Sequence, residues 1–235
     1  MKKTILFVVL GIITVCCIIY GTSKQLGFGN PVTAHFDDGE KYERSGKREI
    51  NEVLESFSEI KMRANIMSLT IEEGPEFKID GSFSKESLRP QVSVKNGHLQ
   101  ISQHSPQRGF VSGSQHCKVV ITIPSGTHHS NIDINASVGD IRLRDLSANN
   151  IDIDLNVGEI DVRKVQFNSI ECDNNVGEIS IEPAADLSEY TMSLSTDVGE
   201  VRVDGKSYRR SYNSRAADTS KKIKADTNVG EINIR

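Results

Sequence analysis

The sequence predicts an all-β fold: a β-solenoid of stacked two-strand coils of about 19 residues, preceded by an N-terminal transmembrane helix. Three observations support this prediction. A short phrase recurs through the C-terminal half, apolar and polar residues alternate around each copy, and the chain opens with a long apolar segment. The 235 residues include no Trp and only 6% aromatic residues, so aliphatic side chains must build the core. That composition favours strands over a large aromatic-lined ligand pocket.

The first element is the apolar segment that follows Lys2 and Lys3. The next charge is Lys24, and the 20 residues between Lys3 and Lys24 would form a helix about 30 Å long, the thickness of the bilayer hydrocarbon. A cleaved signal peptide is the alternative, but no Ala-x-Ala site follows Tyr20. Residues 1–23 are therefore predicted to be an uncleaved transmembrane signal-anchor. The two lysines place the N-terminus in the cytoplasm and the rest of this single-pass protein outside the cell membrane.

The next segment, residues 24–46, is rich in glycine and charge and is predicted to be a linker. The β-solenoid domain is predicted to cover 47–235, with repeats clearest over 119–235. At its start, Lys47–Ile60 carries apolar residues at helical spacing, which predicts a short packing helix or an irregular lead-in rather than a partner-binding helix. From Ile60 onward, period-2 alternation predicts strands. These runs are Ser68–Ile71, Phe77–Ile79, Val92–Val94, Leu99–Ile101 and Val119–Ile123, with a two-residue hairpin turn expected at Asn96-Gly97.

The recurring phrase is the strongest feature of the sequence. Self-similarity at a near-constant step is typical of repeat architectures. The five copies are Val138-Gly139-Asp140-Ile141, Val157-Gly158-Glu159-Ile160, Val176-Gly177-Glu178-Ile179, Val198-Gly199-Glu200-Val201 and Val229-Gly230-Glu231-Ile232. Apolar residues alternate before each copy, and the phase shifts by one residue after the glycine. The chain is thus expected to turn a corner there while its apolar side stays inward, and glycine suits a corner because it tolerates positive φ. Leu146 and Val165 are expected to add inward contacts.

One repeat with two strands cannot bury its own apolar face, whereas stacked repeats can, which favours a solenoid over a meandering sandwich of hairpins. Stacking would align equivalent residues in rows. The expected acidic row is Asp140, Glu159, Glu178, Glu200 and Glu231, and the expected polar row beside it is Ser137, Asn156, Asn175, Asp197 and Asn228. Cys172 takes an inward position. Cys117 would lie about three layers, or roughly 14 Å, away, too far for a disulfide.

The sequence resembles the bacterial putative-adhesin family, a domain of unknown function. The residues that carry the likeness are Val119–Pro124, then Ile132–Ile134, then Val-Gly-Asp-Ile with Leu146, then the Val-Gly-Glu-Ile units, over roughly Ile60–Arg235. The resemblance implies a β-solenoid ectodomain with no established activity, and some relatives look like membrane proteins of cell-envelope stress responses. The long step from Val198 to Val229, which contains Tyr208, Arg209, Arg210 and Tyr212, departs from a uniform repeat. We expect a protruding hairpin or loop there.

The sequence does not indicate an enzyme. The histidines lack ligand spacing, and no nucleophile elbow or phosphate loop is present, so we predict no catalytic residue and no cofactor. The acidic row of Asp140, Glu159, Glu178, Glu200 and Glu231 is the one place where calcium could relieve repulsion. It lacks the Gly-Gly-x-Gly-x-Asp pattern of calcium β-rolls, so we predict no metal site.

These features together favour a non-catalytic, membrane-anchored, extracytoplasmic interaction domain, as expected of an adhesin. Its partner would be a cell-surface, cell-wall or membrane-protein ligand. The formal net charge of −4 is too mild to indicate a nucleic acid partner. The alternative hypothesis is a membrane regulator of a cell-envelope stress response that acts through a protein partner.

Overall fold

A computed structural model describes residues 48–103, 115–217 and 220–235. The predicted signal-anchor, residues 1–23, and the predicted linker, residues 24–46, lie outside these ranges. In the part of the chain that is described, no helix has the length and apolar character needed to cross a membrane.

The described residues form β-strands joined by turns, with two short 3₁₀ helices at Glu86–Leu88 and Leu187–Glu189. The strands are β1 (Glu49–Val53), β2 (Glu59–Ile66), β3 (Ser68–Gly74), β4 (Lys78–Phe83), β5 (Gln91–Lys95), β6 (His98–Ser102), β7 (Cys117–Pro124), β8 (His128–Val138), β9 (Ile141–Arg144), β10 (Ser147–Val157), β11 (Ile160–Val176), β12 (Ile179–Pro183), β13 (Thr191–Val198), β14 (Val201–Val203), β15 (Lys206–Tyr208), β16 (Ser211–Ser214), β17 (Lys222–Val229) and β18 (Ile232–Ile234). The all-β prediction is confirmed.

Strands stack into two facing sheets. The front sheet runs β5, β6, β2, β8, β10, the second half of β11, β17, β13 and β16. The back sheet runs β1, β4, β7, β3, β9, the first part of β11, β12, β18, β14 and β15. Within each stack, equivalent repeat residues pair in parallel, for example Ile132 with Ile151 and Ile151 with Ile170. This register is that of a β-solenoid rather than a hairpin sandwich.

The coils do not stack in chain order. The last coil, β17–β18, lies between β11–β12 and β13–β14, because β17 pairs with both β11 and β13. At the other end, β2 lies between β6 and β8. The acidic row therefore runs Asp140, Glu159, Glu178, Glu231 and Glu200, which corrects the order expected from the sequence.

The core consists of aliphatic side chains that point inward from both sheets. Ile134, Ile153 and Cys172 occupy one inward row, and Leu146 and Val165 are buried as expected. Fully burying one such aliphatic side chain contributes roughly 1.5–3 kcal/mol. Because this contribution is repeated in every layer, a core with few aromatic residues is enough to stabilise the fold.

The two cysteines in the described part of the chain are free and buried. Cys117 lies on β7 in the back sheet and Cys172 on β11 in the front sheet. They are farther apart than the three layers expected, because the coil β2–β3 inserts between β7 and β9. Burial raises the pKa of the Cys117 thiol to about 11 and raises that of Cys172 as well, so both remain neutral.

The predicted helix over Lys47–Ile60 is wrong. Glu49–Val53 is strand β1, which pairs antiparallel with β4 at the edge of the back sheet. Of its apolar residues, Ile50 is buried whereas Val53 is 66% exposed. The helical spacing arose because residues of two strands, β1 and β2, were counted together with the loop that joins them.

Antiparallel strands cap both ends of the stack. At one end β4 and β5 pair with β7 and β6, and the β5–β6 turn has the positive φ values expected at Asn96 (52°) and Gly97 (77°). At the other end β15 pairs with β14 and β16 with β13. The insertion between Val198 and Val229 thus contains a hairpin, β14–β15, as expected, but it lies along the sheet edges as a cap rather than protruding. Such caps protect exposed strand edges from pairing with other chains.

Candidate functional site

The corner of each coil is set by its glycine. Gly139, Gly158 and Gly177 have φ of 147°, 142° and 139°. A Cβ placed on Gly158 would lie 1.7 Å from the carbonyl oxygen of Gly139. No other residue fits, because the backbones of successive coils are in contact at this point. The alternation of buried and exposed positions along each strand stops before the valine that precedes the glycine. The corner valines Val138, Val157, Val176 and Val198 are therefore 42–46% exposed.

The acidic row lies immediately after the glycines and is only partly neutralised. Arg142 binds Asp140 at 3.2 Å, and Arg202 binds Glu200 at 2.8 Å and Glu231 at 3.4 Å. Hydrogen bonds from Ser207 and then Arg202 lower the pKa of Glu200. Glu159 and Glu178 make no ion pair within the described residues. Across those residues, no group of three or more His, Cys, Asp or Glu side chains is arranged to hold a metal ion.

The polar row forms the hydrogen-bonded ladder that stacking predicts. The Asn175 amide donates to Asn156 Oδ1 at 2.7 Å, and the Asn228 amide donates to Asn175 Oδ1 at 2.7 Å. Ser137 and Asp197 occupy the two ends of this row. The three asparagines thus lock the coils of β10, β11 and β17 together at the corner.

A larger acidic surface covers the outward side of the front sheet, and sequence analysis did not identify it. We call it the acidic face. Its carboxylates are Asp133, Asp152, Asp154, Glu171, Asp173 and Asp226, from strands β8, β10, β11 and β17. The register places Asp152 beside Glu171 and Asp154 beside Asp173. A shallow groove of about 520 Å³ runs between these carboxylates and the asparagine ladder.

Cations flank the acidic face but do not neutralise its centre. Arg63 makes a two-bond ion pair with Asp133, both bonds 2.7 Å long. On the other side Lys224 pairs with Glu171. Between these pairs Asp152, Asp154 and Asp173 make no ion pair with any described residue. The negative charge is therefore concentrated on the central strands, β10 and β11.

The pKa values of the carboxylates reflect this imbalance. The hydrogen bond from Arg63 lowers the pKa of Asp133. Burial raises the pKa of Asp152, and repulsion from Asp154, Asp133 and Glu171 adds to the rise. Burial also raises the pKa of Asp173, although Lys224 opposes the shift. At neutral pH the centre of the face thus carries negative charge that Arg63 and Lys224 offset only in part.

The described histidines do not form a cluster of metal ligands. His98 Nδ1 lies 2.6 Å from Glu59 Oε2 on the front sheet, and His128 contacts Ser147 at 2.8 Å. His129 is fully buried, His116 precedes β7, and His104 lies outside the described residues.

The alternating pattern identified the outward positions of these strands, but not the acidic face they form. Outward residues of β8, β10 and β11 were expected only to be polar. Their convergence on one surface depends on the register between coils, and on β17 lying beside β11. The signal in the sequence was the run Asp152, Asp154, Glu171 and Asp173 at equivalent positions of successive repeats.

Comparison with known proteins agrees with this architecture. The model of the family described as Toastrack DUF4097 matches residues 57–235. The structure is similar to a crystal structure of a putative cell adhesion protein from Clostridium sporogenes, at 19% identity and TM-score 0.62, covering 80% of this chain and 98% of that one. A putative adhesin from Bacteroides fragilis matches at 13% identity and TM-score 0.40, covering 80% and 96% of the two chains. No curated protein matches the chain. The family match spans most of the sequence, and the chain therefore belongs to the Toastrack DUF4097 family.

Proposed function

We propose that this chain is a non-catalytic, membrane-anchored interaction protein that presents the acidic face to a cation-bearing partner at the outer side of the cell envelope. The observation that carries the proposal is the negative charge of Asp152, Asp154 and Asp173, none of which makes an ion pair with a described residue. Like charges this close destabilise the fold. A partner that supplies positive charge would relieve the repulsion, so the arrangement favours the bound state.

The rigidity of the surface supports the same proposal. Every strand of the acidic face is paired on both sides, and the asparagine ladder fixes the neighbouring corner. A surface that is already ordered loses little conformational entropy on binding. The fold it shares with the Clostridium sporogenes protein described as a putative cell adhesion protein is consistent with this role.

The anchor is the second part of the proposal. The uncharged segment between Lys3 and Lys24 has the length of a membrane-spanning helix, and the preceding lysines favour a cytoplasmic N-terminus. The solenoid would then stand outside the cell on the linker of residues 24–46.

The test is binding of residues 30–235 to intact cells and isolated envelopes of the source organism, with and without a calcium chelator. We expect saturable binding that weakens with added salt, because salt screens the attraction between the acidic face and the positive charges of the partner. The double variant Asp154→Asn/Asp173→Asn should weaken binding. The matched control is Glu159→Gln/Glu178→Gln, which removes two charges from the corner of the same coils and should leave binding unchanged.

Other outcomes point elsewhere. Sensitivity to the chelator would assign calcium to the acidic row or face. If the fragment does not bind while the full-length protein still cross-links to a membrane partner, the acidic face is not the docking surface. That result would favour the alternative of a membrane regulator of a cell-envelope stress response.

A further inference from the structure

The end of the solenoid formed by β13–β16 contains a groove that the acidic face does not involve. Its volume is about 730 Å³, and Tyr190, Tyr208 and Tyr212 line it. We call it the tyrosine groove. Met192 and Val203, both buried, form part of its floor. Volumes of about 300–1,000 Å³ are typical of small-molecule sites. The low aromatic content of the chain had argued against such a site, but three tyrosines converge here.

The tyrosines give the groove an aromatic wall and a fixed floor. The rings of Tyr208 and Tyr212 pack at 4.6 Å between centroids, tilted by 54°, and both are half-buried. Tyr190 is 1% exposed and packs on Phe167 at 5.1 Å. Tyr208 and Tyr212 lie on the cap strands β15 and β16. The insertion that ends the stack therefore also forms the aromatic wall of the groove.

Charged side chains of both signs surround this aromatic surface without neutralising one another. Lys206, Arg215 and Arg235 are donors, and Glu182 and Asp204 are acceptors. None of the five makes an ion pair or a side-chain hydrogen bond with a described residue. Within the described part of the chain, no side chain takes up their hydrogen-bonding groups, and these groups can meet a ligand.

The opposite end of the stack shows that termination alone does not require such a groove. The groove there, about 550 Å³, has no aromatic lining. Its Arg89 pairs with Glu86 at 3.3 Å and lies over the Phe83 ring, and Leu88 is fully buried. Aromatic side chains and unpaired charges are thus combined at one end and not at the other.

We infer that the tyrosine groove binds a short neutral saccharide. A pyranose ring has an apolar C–H face, which packs on aromatic rings, and hydroxyl groups that both donate and accept hydrogen bonds. The tyrosines match the first property, and the mixture of Arg, Lys, Asp and Glu matches the second. The lining contains three cations and three carboxylates, the third carboxylate being Asp186, and this balance of charge favours a neutral ligand over an anionic or cationic one. This inference is independent of the acidic face.

The test uses the full-length chain in detergent, with the β-1,4-linked tetramers of N-acetylglucosamine and of glucose as probes. The chain has no Trp, and three of its five Tyr line the groove, so tyrosine emission reports largely on the groove. We expect a saturable change in emission and saturation transfer to the sugar C–H protons in NMR. Tyr208→Ala should weaken binding at least about tenfold. The Asp154→Asn/Asp173→Asn variant should bind the sugars as the parent does.

Two further variants keep the test decisive if Tyr208→Ala disturbs the cap. Arg215→Gln and Asp204→Asn change exposed side chains and should leave the circular dichroism and thermal midpoint unchanged while weakening sugar binding several-fold. The inference is overturned if neither tetramer binds, or if binding persists unaltered in all three variants.

Discussion

Four of the corner glycines, Gly158, Gly177, Gly199 and Gly230, face the carbonyl oxygen of the corner glycine in a neighbouring coil, and Gly139 faces that of Met67. This contact explains why glycine recurs in the phrase Val-Gly-Glu-Ile. Part of this arrangement could be predicted from the sequence. The phase shift of apolar residues across the phrase indicated a corner that needs positive φ. The close approach of the backbones could not be predicted, since it depends on the stacking of separate coils.

Replacing Gly158 with Ala should therefore be severely destabilising. The new Cβ would meet the Gly139 carbonyl oxygen at 1.7 Å, at a residue whose φ is already 142°. We expect a loss of about 4 kcal/mol or more in the free energy of unfolding, measured by urea denaturation. The matched control is Gly126→Ala, where φ is 79° but no atom lies within 4 Å. Its cost should be about 1–2 kcal/mol, the strain of positive φ alone. Equal losses in the two variants would contradict the steric argument.

His129 makes stability depend on pH. It is fully buried against Phe57, with ring centroids 5.7 Å apart, and neither ring nitrogen has a hydrogen bond of good geometry with a described residue. Burial lowers its pKa from 6.5 to about 4, and His128 adds to the shift while the Ser58 backbone opposes it. The unfolded chain thus takes up a proton that the folded chain refuses. The contribution of neutral His129 is complete above pH 6.5 and is lost as pH falls towards 4.

The expected size of this loss is roughly 3 kcal/mol between about pH 7 and pH 4. It can be measured by comparing the free energy of unfolding of the parent and His129→Leu across this range. The Leu variant should show a flatter profile, because the carboxylates that also titrate are common to both proteins. Parallel profiles would show that His129 does not remain neutral in the fold.

At the scale of secondary structure, the strands marked by apolar alternation or by the glycine phrase were predicted correctly. The segment Lys47–Ile60, which precedes them, was not. The pattern over Lys47–Ile60 is helical in spacing, but β1 is held by its pairing with β4, a contact that the sequence pattern does not contain. The same limit applies to the tyrosine groove. The sequence indicates that Tyr208 and Tyr212 lie in a departure from the repeat, but that they line one groove with Tyr190 depends on how the cap folds back.

The asparagine ladder can be tested by counting its hydrogen bonds. Asn175 donates to Asn156 and accepts from Asn228, so Asn175→Ala removes two bonds, whereas Asn156→Ala removes one. At about 0.5–1.5 kcal/mol per bond, we expect losses of about 2 and about 1 kcal/mol in the free energy of unfolding. Ser137→Ala, at the end of the row, should be close to neutral. Calorimetry on the three variants would reject the ladder if their thermal midpoints coincide.

On the scale of the whole molecule, the order of the coils matters more than their number. A solenoid stacked in chain order would fray from its C-terminus, whereas here β17 is paired on both sides by β11 and β13. The repeat predicted the coils, but not this order, because equivalent repeats offer nearly equivalent neighbours.

This arrangement predicts that the C-terminal coil is among the most stable parts of the protein. The amides of β17 should exchange with deuterium as slowly as those of β10, since both strands are internal to the front sheet. Removal of residues 215–235 should unfold β13–β16 as well, which near-ultraviolet circular dichroism would detect. Replacing the edge strand β1 with Gly and Ser should, in comparison, have a small effect. Rapid exchange in β17 would mean that the last coil is only loosely inserted.

The position of the last coil also affects when the chain can fold during its synthesis. The coil β13–β14 emerges from the ribosome before β17–β18, yet its inner neighbour is that later segment. The C-terminal third of the stack thus stays open until the final residues have been made. For a chain threaded through a membrane channel in an extended state, as the proposed location requires, this delay is useful. The C-terminal part of the stack would close only after the last coil had crossed, so that its folding would not block export of the remaining chain.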